Sequence, residues 1–433
     1  MKKVITYGTY DLFHRGHYNI LKRAKEYGDY LIVGVTSESY DIERGKLSVH
    51  DSLKTRMDNV LATGFADEVI IEEYLGQKIR DIMNYNVDTL VIGSDWMGKF
   101  DHLNKYCEVV YLERTKNISS TQIRQDSENN YMAGIIADGL SDMGVVEESK
   151  YVSGINIEKV YSEDIEVAEK FCHKYEISSY EHSLDEFLDG LNIVVVQTDV
   201  ARRYDLIKKC LTEYKHVICS APASLDYDKQ KELIELSKAN GVALFENITT
   251  LYLRAFMQLL WMTQGDVIGN TLSVKCSISA ENLTHKNSML DMTTLAISVI
   301  VKLLGVDYKP IHQKNINSED GSTKYTSLGM EYENSFGFVE IGQGIEIENQ
   351  LTIIGDKATI IVKDDWWNTG YFELKSCGER HVKKSSFNFE GTGFRYTLQE
   401  LLVMLNDKRS ECTRLFAYES LAVVKALNSI KLD

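Results

Sequence analysis

Short runs of β-branched and aromatic residues alternate with longer amphipathic stretches along the first part of the chain. The short runs predict strands at residues 4–7, 30–35, 68–71, 89–92 and 108–112. Apolar residues spaced three and four positions apart predict helices at residues 17–27, 52–62 and 75–85, the second of them capped by Ser52. Strands that alternate with helices in this way are typical of a parallel α/β sheet.

The alternation restarts after a short polar segment at residues 125–130, which suits a linker. In the new series we predict strands at residues 133–136, 157–161, 193–197, 217–219 and 242–245, and helices at residues 163–175 and 227–239. This pattern indicates a second, doubly wound α/β unit.

From about residue 256 onward the predicted strands become longer and alternate polar with apolar positions. They fall at residues 272–280, 335–341, 350–363 and 370–374, with helices near 287–304, 397–405 and 416–429. An open, largely antiparallel α+β sheet with flanking helices fits this pattern. We therefore expect an α/β protein of three domains: residues 1–128, 131–255 and 256–433.

The composition is that of a folded protein, because 44% of the 433 residues are hydrophobic, 26% are charged and only 2 are proline. A net charge of −16 argues against binding of nucleic acid or anionic lipid through a general basic field. No apolar run approaches the roughly 20 residues that span a bilayer, and no signal peptide is visible, so we expect no membrane span. Seven widely spaced cysteines without a Cys-x-x-Cys pair indicate reduced thiols and a cytoplasmic protein.

The first candidate site is the run from Gly8 to His17, GTYDLFHRGH, which ends the first predicted strand and opens the first helix. His14, Gly16 and His17 therefore lie where backbone N–H groups and the helix dipole attract an anion. Displacement of pyrophosphate from a nucleotide builds negative charge at the α-phosphoryl group, and two imidazole donors would stabilise it. The alternative is that both histidines only cap or pack the helix. Their position at a strand-to-helix turn favours a phosphate site.

Two later motifs follow in order, GSDWMGKFD at residues 93–101 and RTKNISST at residues 114–121. Taken singly, the first could be a helix start with a buried indole and the second a solvated turn. Together with the histidine motif, they make residues 1 to about 125 resemble the glycerol-3-phosphate cytidylyltransferases, in the wider family that also activates phosphocholine and phosphoethanolamine. The resemblance implies a Rossmann-like nucleotidyltransferase fold.

The same resemblance implies a catalytic set. His14 and His17 would contact the phosphates of CTP and stabilise the transition state, and Lys46 and Arg114 would complete the set by neutralising phosphate charge and holding the nucleotide. The residues that it implies for nucleotide binding are Gly8, Thr9, Tyr10, Asp11, Phe13, Gly16, Gly93, Asp95, Arg114, Thr115, Ile118, Ser119 and Thr121.

For the other ligands, the resemblance implies that Asp11 and Asp95 position Mg²⁺ or the cytidine, with Asp11 as the metal ligand. Lys99 would bind the phosphate of the acceptor alcohol, with Trp96 beside it. Three positions differ from the usual family residues: Gly64 replaces an arginine, Ser94 an aspartate and Asn117 a glycine. The missing arginine leaves the identity of the acceptor open.

Residues from about 131 to the end resemble the glucose–fructose oxidoreductase and inositol dehydrogenase family. The resemblance is carried by VYSED at 160–164, KHVIC at 215–219, GVALFE at 241–246, and GDKA at 355–358 leading to Trp366-Trp367. The functional positions have changed, however. The glycine loop reads ADGLSD at 137–142, the Thr-Pro-Asn element reads TDV at 198–200, the Glu-Lys-Pro signature reads SAP at 220–222, and Leu295 stands where a histidine or tyrosine is usual. Ala221 can neither donate a proton nor polarise a carbonyl.

The sequence therefore predicts a cytidylyltransferase that joins CTP and a small alcohol phosphate, glycerol 3-phosphate first, into a CDP-alcohol for surface polymer or capsule synthesis, with release of pyrophosphate and use of Mg²⁺. We expect the C-terminal region to be a redox-inactive scaffold and the protein to form a homodimer. Two alternatives stay open for that region. It could be an NAD(P)-dependent reductase that makes the polyol phosphate, or a ligand-sensing or dimerisation module.

Overall fold

A computed structural model describes residues 1–43, 49–74, 76–113, 130–139, 144–279, 288–319, 321–379, 381–387 and 391–430. The chain forms two compact units. The first consists of Met1–Asn130 with Lys150–Gly154, and the second of Tyr131–Ser149 with Ile155–Asp433. The division of the second region at residue 255 stays a prediction.

The first unit contains a five-stranded parallel sheet with the strand order β3-β2-β1-β4-β5. Its strands are β1 Lys3–Gly8, β2 Tyr30–Thr36, β3 Glu68–Glu72, β4 Thr89–Gly93 and β5 Glu108–Leu112. Its helices are α1 Arg15–Lys25, α2 Glu38–Glu43, α3 Leu53–Ala62 and α4 Gln77–Tyr85, with short 3₁₀ helices at Ser94–Trp96 and Asp101–Lys105. The parallel α/β sheet predicted from the sequence is confirmed.

Alternate side chains of β1 build the two cores of this sheet. Val4 packs in a cluster with Leu21 of α1 and Val60 of α3, whereas Ile5 packs in another cluster with Ile82 of α4. The prediction that Ser52 caps α3 is confirmed, because its hydroxyl accepts a hydrogen bond from the Thr55 backbone N–H.

The second unit begins with a six-stranded parallel sheet in the order β11-β10-β9-β6-β7-β8, the doubly wound arrangement that the sequence predicts. Its strands are β6 Tyr131–Ala137, β7 Ile155–Tyr161, β8 Ser179–Glu181, β9 Ile193–Gln197, β10 His216–Ser220 and β11 Leu244–Asn247. Its helices are α5 Val145–Ser149, α6 Ile165–Tyr175, α7 Leu184–Leu188, α8 Val200–Thr212, α9 Tyr227–Asn240 and α10 Arg254–Gln264, with a 3₁₀ helix at Thr249–Tyr252.

An eight-stranded mixed sheet follows, in the order β13-β14-β15-β12-β16-β17-β18-β19, and only its β12–β15 pair is parallel among the described strands. Its strands are β12 Thr271–Ser279, β13 Lys309–Asn317, β14 Thr323–Glu331, β15 Phe336–Gly342, β16 Gln350–Gly355, β17 Ala358–Lys363, β18 Tyr371–Ser376 and β19 Val382–Ser386. The accompanying helices are α11 Ser288–Leu304, α12 Phe394–Asn406 and α13 Ala417–Ser429, with a 3₁₀ helix at Trp366–Asn368.

One predicted strand of this sheet is wrong in its extent. Residues 350–363 form the two strands β16 and β17, which pair in antiparallel fashion across a turn at Asp356 and Lys357. The backbone N–H of Lys357 donates to the Ile268 carbonyl at 2.9 Å, which fixes the turn. The Gly-Asp pair at 355–356 is an ordinary turn signal inside an otherwise apolar alternation.

No helix in the described part of the chain is long and apolar enough to cross a membrane.

Candidate active site

The two histidines of the first motif lie where the loop after β1 enters α1: His14 ends the loop and His17 is in the first turn of the helix. His14 is the N-cap residue of α1, with an extended backbone (φ −132°, ψ 176°), and its Nδ1 accepts a hydrogen bond from the Gly16 N–H at 3.0 Å. An accepting Nδ1 carries no proton, so the neutral ring carries its proton on Nε2. His14 therefore caps the helix and also keeps a ring N–H donor.

His17 lies one helical turn further along, and its ring stacks on the ring of His14 with centroids 3.9 Å apart and planes 17° apart. Two aromatic rings support it: the Tyr10 ring meets it edge-on at 5.4 Å and the Phe13 ring at 5.6 Å. The two imidazoles thus form one unit at a helix N-terminus, where phosphate is favoured. The structure brings together the predicted residues His14, His17, Tyr10, Phe13 and Gly16.

The backbone of this loop takes an unusual path. Tyr10 (φ 54°) and Leu12 (φ 47°) are both left-handed, a conformation that costs non-glycine residues about 1 kcal/mol or more each. Tyr10 is only 2% exposed, and this burial raises the pKa of its phenol. The backbone of Gly8 lies close to the Tyr10 ring. A Cβ at position 8 would lie only 3.0 Å from this ring, so a larger residue would crowd it.

Two aspartates hold the strained loop in place, Asp11 within the loop and Asp51 in the segment before α3. Oδ1 of the buried Asp11 accepts hydrogen bonds from the backbone N–H groups of His50 (3.0 Å) and Asp51 (2.8 Å). In return, Oδ2 of Asp51 accepts from the Leu12 N–H at 3.0 Å. The two carboxylates form a reciprocal latch between the histidine loop and the segment before α3. Asp11 is therefore engaged in positioning the loop, and its predicted role as a metal ligand stays a prediction.

Beneath the loop lies a fully buried arginine that sequence reasoning missed. Arg56 donates through Nη1 to the carbonyls of Thr9 (2.9 Å) and Thr36 (2.8 Å) and pairs with Asp41 at 3.3 Å. The hydroxyls of Thr9 and Thr36 donate to the same carboxylate, at 3.1 and 2.7 Å. Thr9 is thus held at both its carbonyl and its side chain. The available signal was an arginine four residues before the buried Val60 of α3, on the apolar face of the helix.

The second motif begins at Gly93, the last residue of β4, and Trp96 lies in the 3₁₀ helix that follows. Lys99 Nζ lies 5.1 Å from the centre of the Trp96 ring, and the centres of the Trp96 and Phe100 rings lie 5.8 Å apart. The structure therefore brings the two predicted acceptor residues, Trp96 and Lys99, into contact distance. The side chain of Asp95 lies outside the described part of the chain.

A second buried charge pair adjoins this motif and was also missed. Lys78 of α4 forms a short ion pair with Glu72 at the end of β3, and its Nζ lies 4.3 Å from the Tyr7 ring and 5.5 Å from the Phe100 ring. Glu72 is only 1% exposed. Burial and the negative charge of Asp81 raise the pKa of Tyr7, whose hydroxyl donates to Asp81 at 3.1 Å. The sequence alone gives no indication of this ion pair, because Lys78 is a single lysine in an amphipathic helix.

The remaining predicted residues of the nucleotide site, Lys46, Arg114, Thr115, Ile118, Ser119 and Thr121, lie outside the described residues. Among those that are described, no group of three or more His, Cys, Asp or Glu side chains could hold a metal ion. The use of Mg²⁺ stays a prediction.

Comparison with known proteins matches residues 5–126 to the cytidylyltransferase-like family. The chain is 52% identical over 126 residues to a glycerol-3-phosphate cytidylyltransferase of Bacillus spizizenii, covering 29% of this chain and 97% of that protein. It is 46% identical to the glycerol-3-phosphate cytidylyltransferase of Staphylococcus aureus, covering 29% and 95%. A probable ethanolamine-phosphate cytidylyltransferase of Encephalitozoon cuniculi is 33% identical, covering 28% and 40%.

Residues 137–248 match the oxidoreductase family with an NAD-binding Rossmann fold. Among solved structures, a 3-ketoreductase of Actinomadura kijaniata in complex with NADP and TDP-benzene is similar with a TM-score of 0.62 and 15% identity, covering 70% of this chain and 97% of that one. A dehydrogenase of Clostridium difficile has a TM-score of 0.58 and 15% identity, covering 70% and 100%. At this identity the similarity shows the fold alone. In this fold Ala221 follows β10 and is 8% exposed, and Leu295 lies within α11.

Proposed function

Because the chain belongs to the glycerol-3-phosphate cytidylyltransferase family, a class of CTP:alcohol-phosphate nucleotidyltransferases, we propose that its first unit makes CDP-glycerol from CTP and glycerol 3-phosphate. A phosphate oxygen of the acceptor attacks the α-phosphorus of CTP, the bond to the β-phosphate oxygen breaks, and pyrophosphate leaves in line with the attack. The observation that carries this proposal is the stacked His14–His17 pair at the start of α1.

In this reaction the two imidazoles donate hydrogen bonds to the phosphates as negative charge develops. Their position is set before substrate arrives, because His14 caps the helix and the Asp11–Asp51 latch holds the preceding loop. Preorganised donors of this kind contribute roughly a hundredfold or more to a rate. Mg²⁺, when bound with CTP, would neutralise the charge of the triphosphate.

For the acceptor we propose the surface formed by Trp96, Lys99, Phe100 and the Glu72–Lys78 pair, the acceptor wall. Its two ammonium groups suit the acceptor phosphate, and the carboxylate of Glu72 suits a hydroxyl group. A polyol phosphate carries both groups. The wall therefore supports glycerol 3-phosphate rather than a quaternary amine, although Gly64 replaces the usual family arginine.

For the second unit we propose a redox-inactive scaffold that supports a homodimer. Its support is the loss of the family lysine at Ala221 and of the acid–base residue at Leu295. The second candidate is a bifunctional enzyme whose second unit reduces a keto-phosphate to the polyol phosphate, and the fold shared with an NADP-bound ketoreductase favours it. The CDP-alcohol would serve the synthesis of a surface polymer or capsule.

The test is pyrophosphate release by the full chain from CTP, UTP, ATP or GTP with glycerol 3-phosphate, phosphoethanolamine or phosphocholine. We expect CTP with glycerol 3-phosphate to give the highest kcat/KM, because a polar pocket matched to one base leaves groups unpaired with another. Equal rates with ATP would overturn the cytidylyl assignment. A preference for an amino-alcohol phosphate would overturn the proposed acceptor and keep the reaction class.

A further inference from the structure

The doubly wound sheet of the second unit has a crevice where a dinucleotide would bind. Its strand order reverses between β9 and β6, and ligands of such sheets bind outside the carboxyl ends of the strands at this reversal. In a dinucleotide-binding unit the pyrophosphate lies at the turn after the first strand, and an acid after the second strand bonds the ribose. Here these places follow Ala137 of β6 and Tyr161 of β7.

Three charged side chains of the chain itself meet in this crevice. Arg202 of α8 pairs through Nη1 with Asp138, directly after β6, at 2.5 Å. Through Nη2 it pairs with Glu163, which follows β7, also at 2.5 Å. The second oxygen of Asp138 accepts the backbone N–H of Asp199 at 2.7 Å. We call Asp138, Arg202 and Glu163 the crevice triad. One guanidinium thus joins the residue at the pyrophosphate turn to the residue at the ribose position.

The N-termini of the neighbouring helices α6 and α8 are capped by side chains of the chain itself. Asp164 caps α6 by accepting the Glu166 N–H at 3.0 Å, and Asp199 caps α8 by accepting the Ala201 N–H at 3.2 Å. Each cap therefore uses one of the N–H groups that would otherwise be unpaired at the start of its own helix. The neighbouring Arg203 is buried and donates to the Thr198, Ser220 and Pro222 carbonyls.

The net negative charge of the crevice opposes the binding of an anion such as a pyrophosphate group. The described residues at these strand ends carry four carboxylates and two guanidinium groups, namely Asp138, Glu163, Asp164, Asp199, Arg202 and Arg203. A pyrophosphate brought to this turn would meet the Asp138 carboxylate and would have to displace it from Arg202, the one guanidinium here that is partly exposed.

We propose that the crevice triad takes the place of the dinucleotide, so that the second unit is closed to NAD and NADP and is stabilised by its own charges instead. The inference rests on the proposed redox inactivity of this unit and explains it by a physical block. It is independent of the transferase reaction, which the first unit performs.

The test is calorimetric titration of the full chain with NADH and NADPH, with the midpoint of thermal unfolding measured in parallel. For the wild type we expect no saturable binding up to about 1 mM and no shift of the midpoint. Asp138→Gly removes the opposing carboxylate and is expected to bind NADPH with a Kd below about 1 mM. Asp189→Gly, at an exposed acid away from these strand ends, is the matched control and should stay without binding.

A stability measurement tests the second half of the inference. Arg202→Met should lower the unfolding midpoint by about 2 °C, whereas Lys231→Met, which breaks only the exposed Lys231–Glu235 pair, should leave it unchanged. Saturable binding of either cofactor to the wild type would overturn the inference, and turnover as well would also overturn redox inactivity. The inference would also be overturned if a folded Asp138→Gly variant bound no NADPH. The same holds if Arg202→Met had the same unfolding midpoint as the Lys231→Met control. Pyrophosphate release, measured on the same samples, reports the transferase separately.

Discussion

The imidazole rings of His14 and His17 are stacked, with centroids 3.9 Å apart and planes 17° apart, because His17 lies three positions after the N-cap His14 and the Gly16 N–H fixes the first ring. This relationship makes the pair one donor unit rather than two independent side chains.

Removing either ring should therefore reduce turnover without unfolding the protein. We expect His17→Ala to lower kcat for CDP-glycerol formation by about a hundredfold or more, because the developing charge loses a donor. The midpoint of thermal unfolding should change little. His173→Ala, at an exposed histidine of α6, is the control for loss of an imidazole. Turnover like that of the wild type in both His14→Ala and His17→Ala would contradict the assignment.

The latch between Asp11 and Asp51 should affect CTP binding. Asp51→Ala leaves the Leu12 N–H without its acceptor and relaxes the left-handed backbone at Tyr10 and Leu12. We expect the KM for CTP to rise about tenfold, a loss of about 1.4 kcal/mol. Asp51→Asn keeps an acceptor oxygen and should recover most of the affinity. Steady-state kinetics of the two variants would decide, and equal KM values for both would rule out the latch.

The buried Arg56–Asp41 pair should matter mainly for stability. Arg56→Met leaves the Asp41 carboxylate without its positive partner and removes a donor from three backbone carbonyls, so we expect a loss of about 3–5 kcal/mol in the free energy of unfolding of the first unit. Adding Asp41→Asn removes the uncompensated charge, and the double variant should lose less than the sum of the single variants. Denaturant unfolding followed by a signal of the first unit measures this. Strict additivity would show that the two side chains do not interact.

A substitution in the acceptor wall should weaken binding of glycerol 3-phosphate and leave binding of CTP nearly unchanged. Lys78→Met removes the ammonium group but keeps an apolar side chain against Tyr7 and Phe100, so the KM for glycerol 3-phosphate should rise about tenfold with little change in the KM for CTP. Lys105→Met, at an exposed lysine of the same unit, is the control. An equal rise in both KM values would indicate a structural role for Lys78 rather than acceptor binding.

The second unit should lose stability as the pH rises through the titration of Glu246. Burial raises the pKa of this carboxyl above its ordinary value of 4.5, so the folded state holds the proton more tightly than the unfolded state. The resulting stabilisation is complete below pH 4.5 and is lost as the pH rises through the folded pKa. Glu246→Gln should therefore become more stable relative to the wild type as the pH increases. Calorimetric unfolding at several pH values tests this, and a pH-independent difference would contradict it.

The order of the elements and the place of the first site follow from the sequence, because strands, helix caps and the glycine–histidine turn depend on neighbouring residues. Ser52, for example, caps its helix through a residue three positions away. The buried and bridging pairs could not be predicted in the same way. Arg56 meets Asp41 across 15 residues, and Arg202 meets Asp138 across 64. Each of these pairs joins residues of two different segments, so the packing of the folded chain, rather than local spacing, assigns each charge its partner.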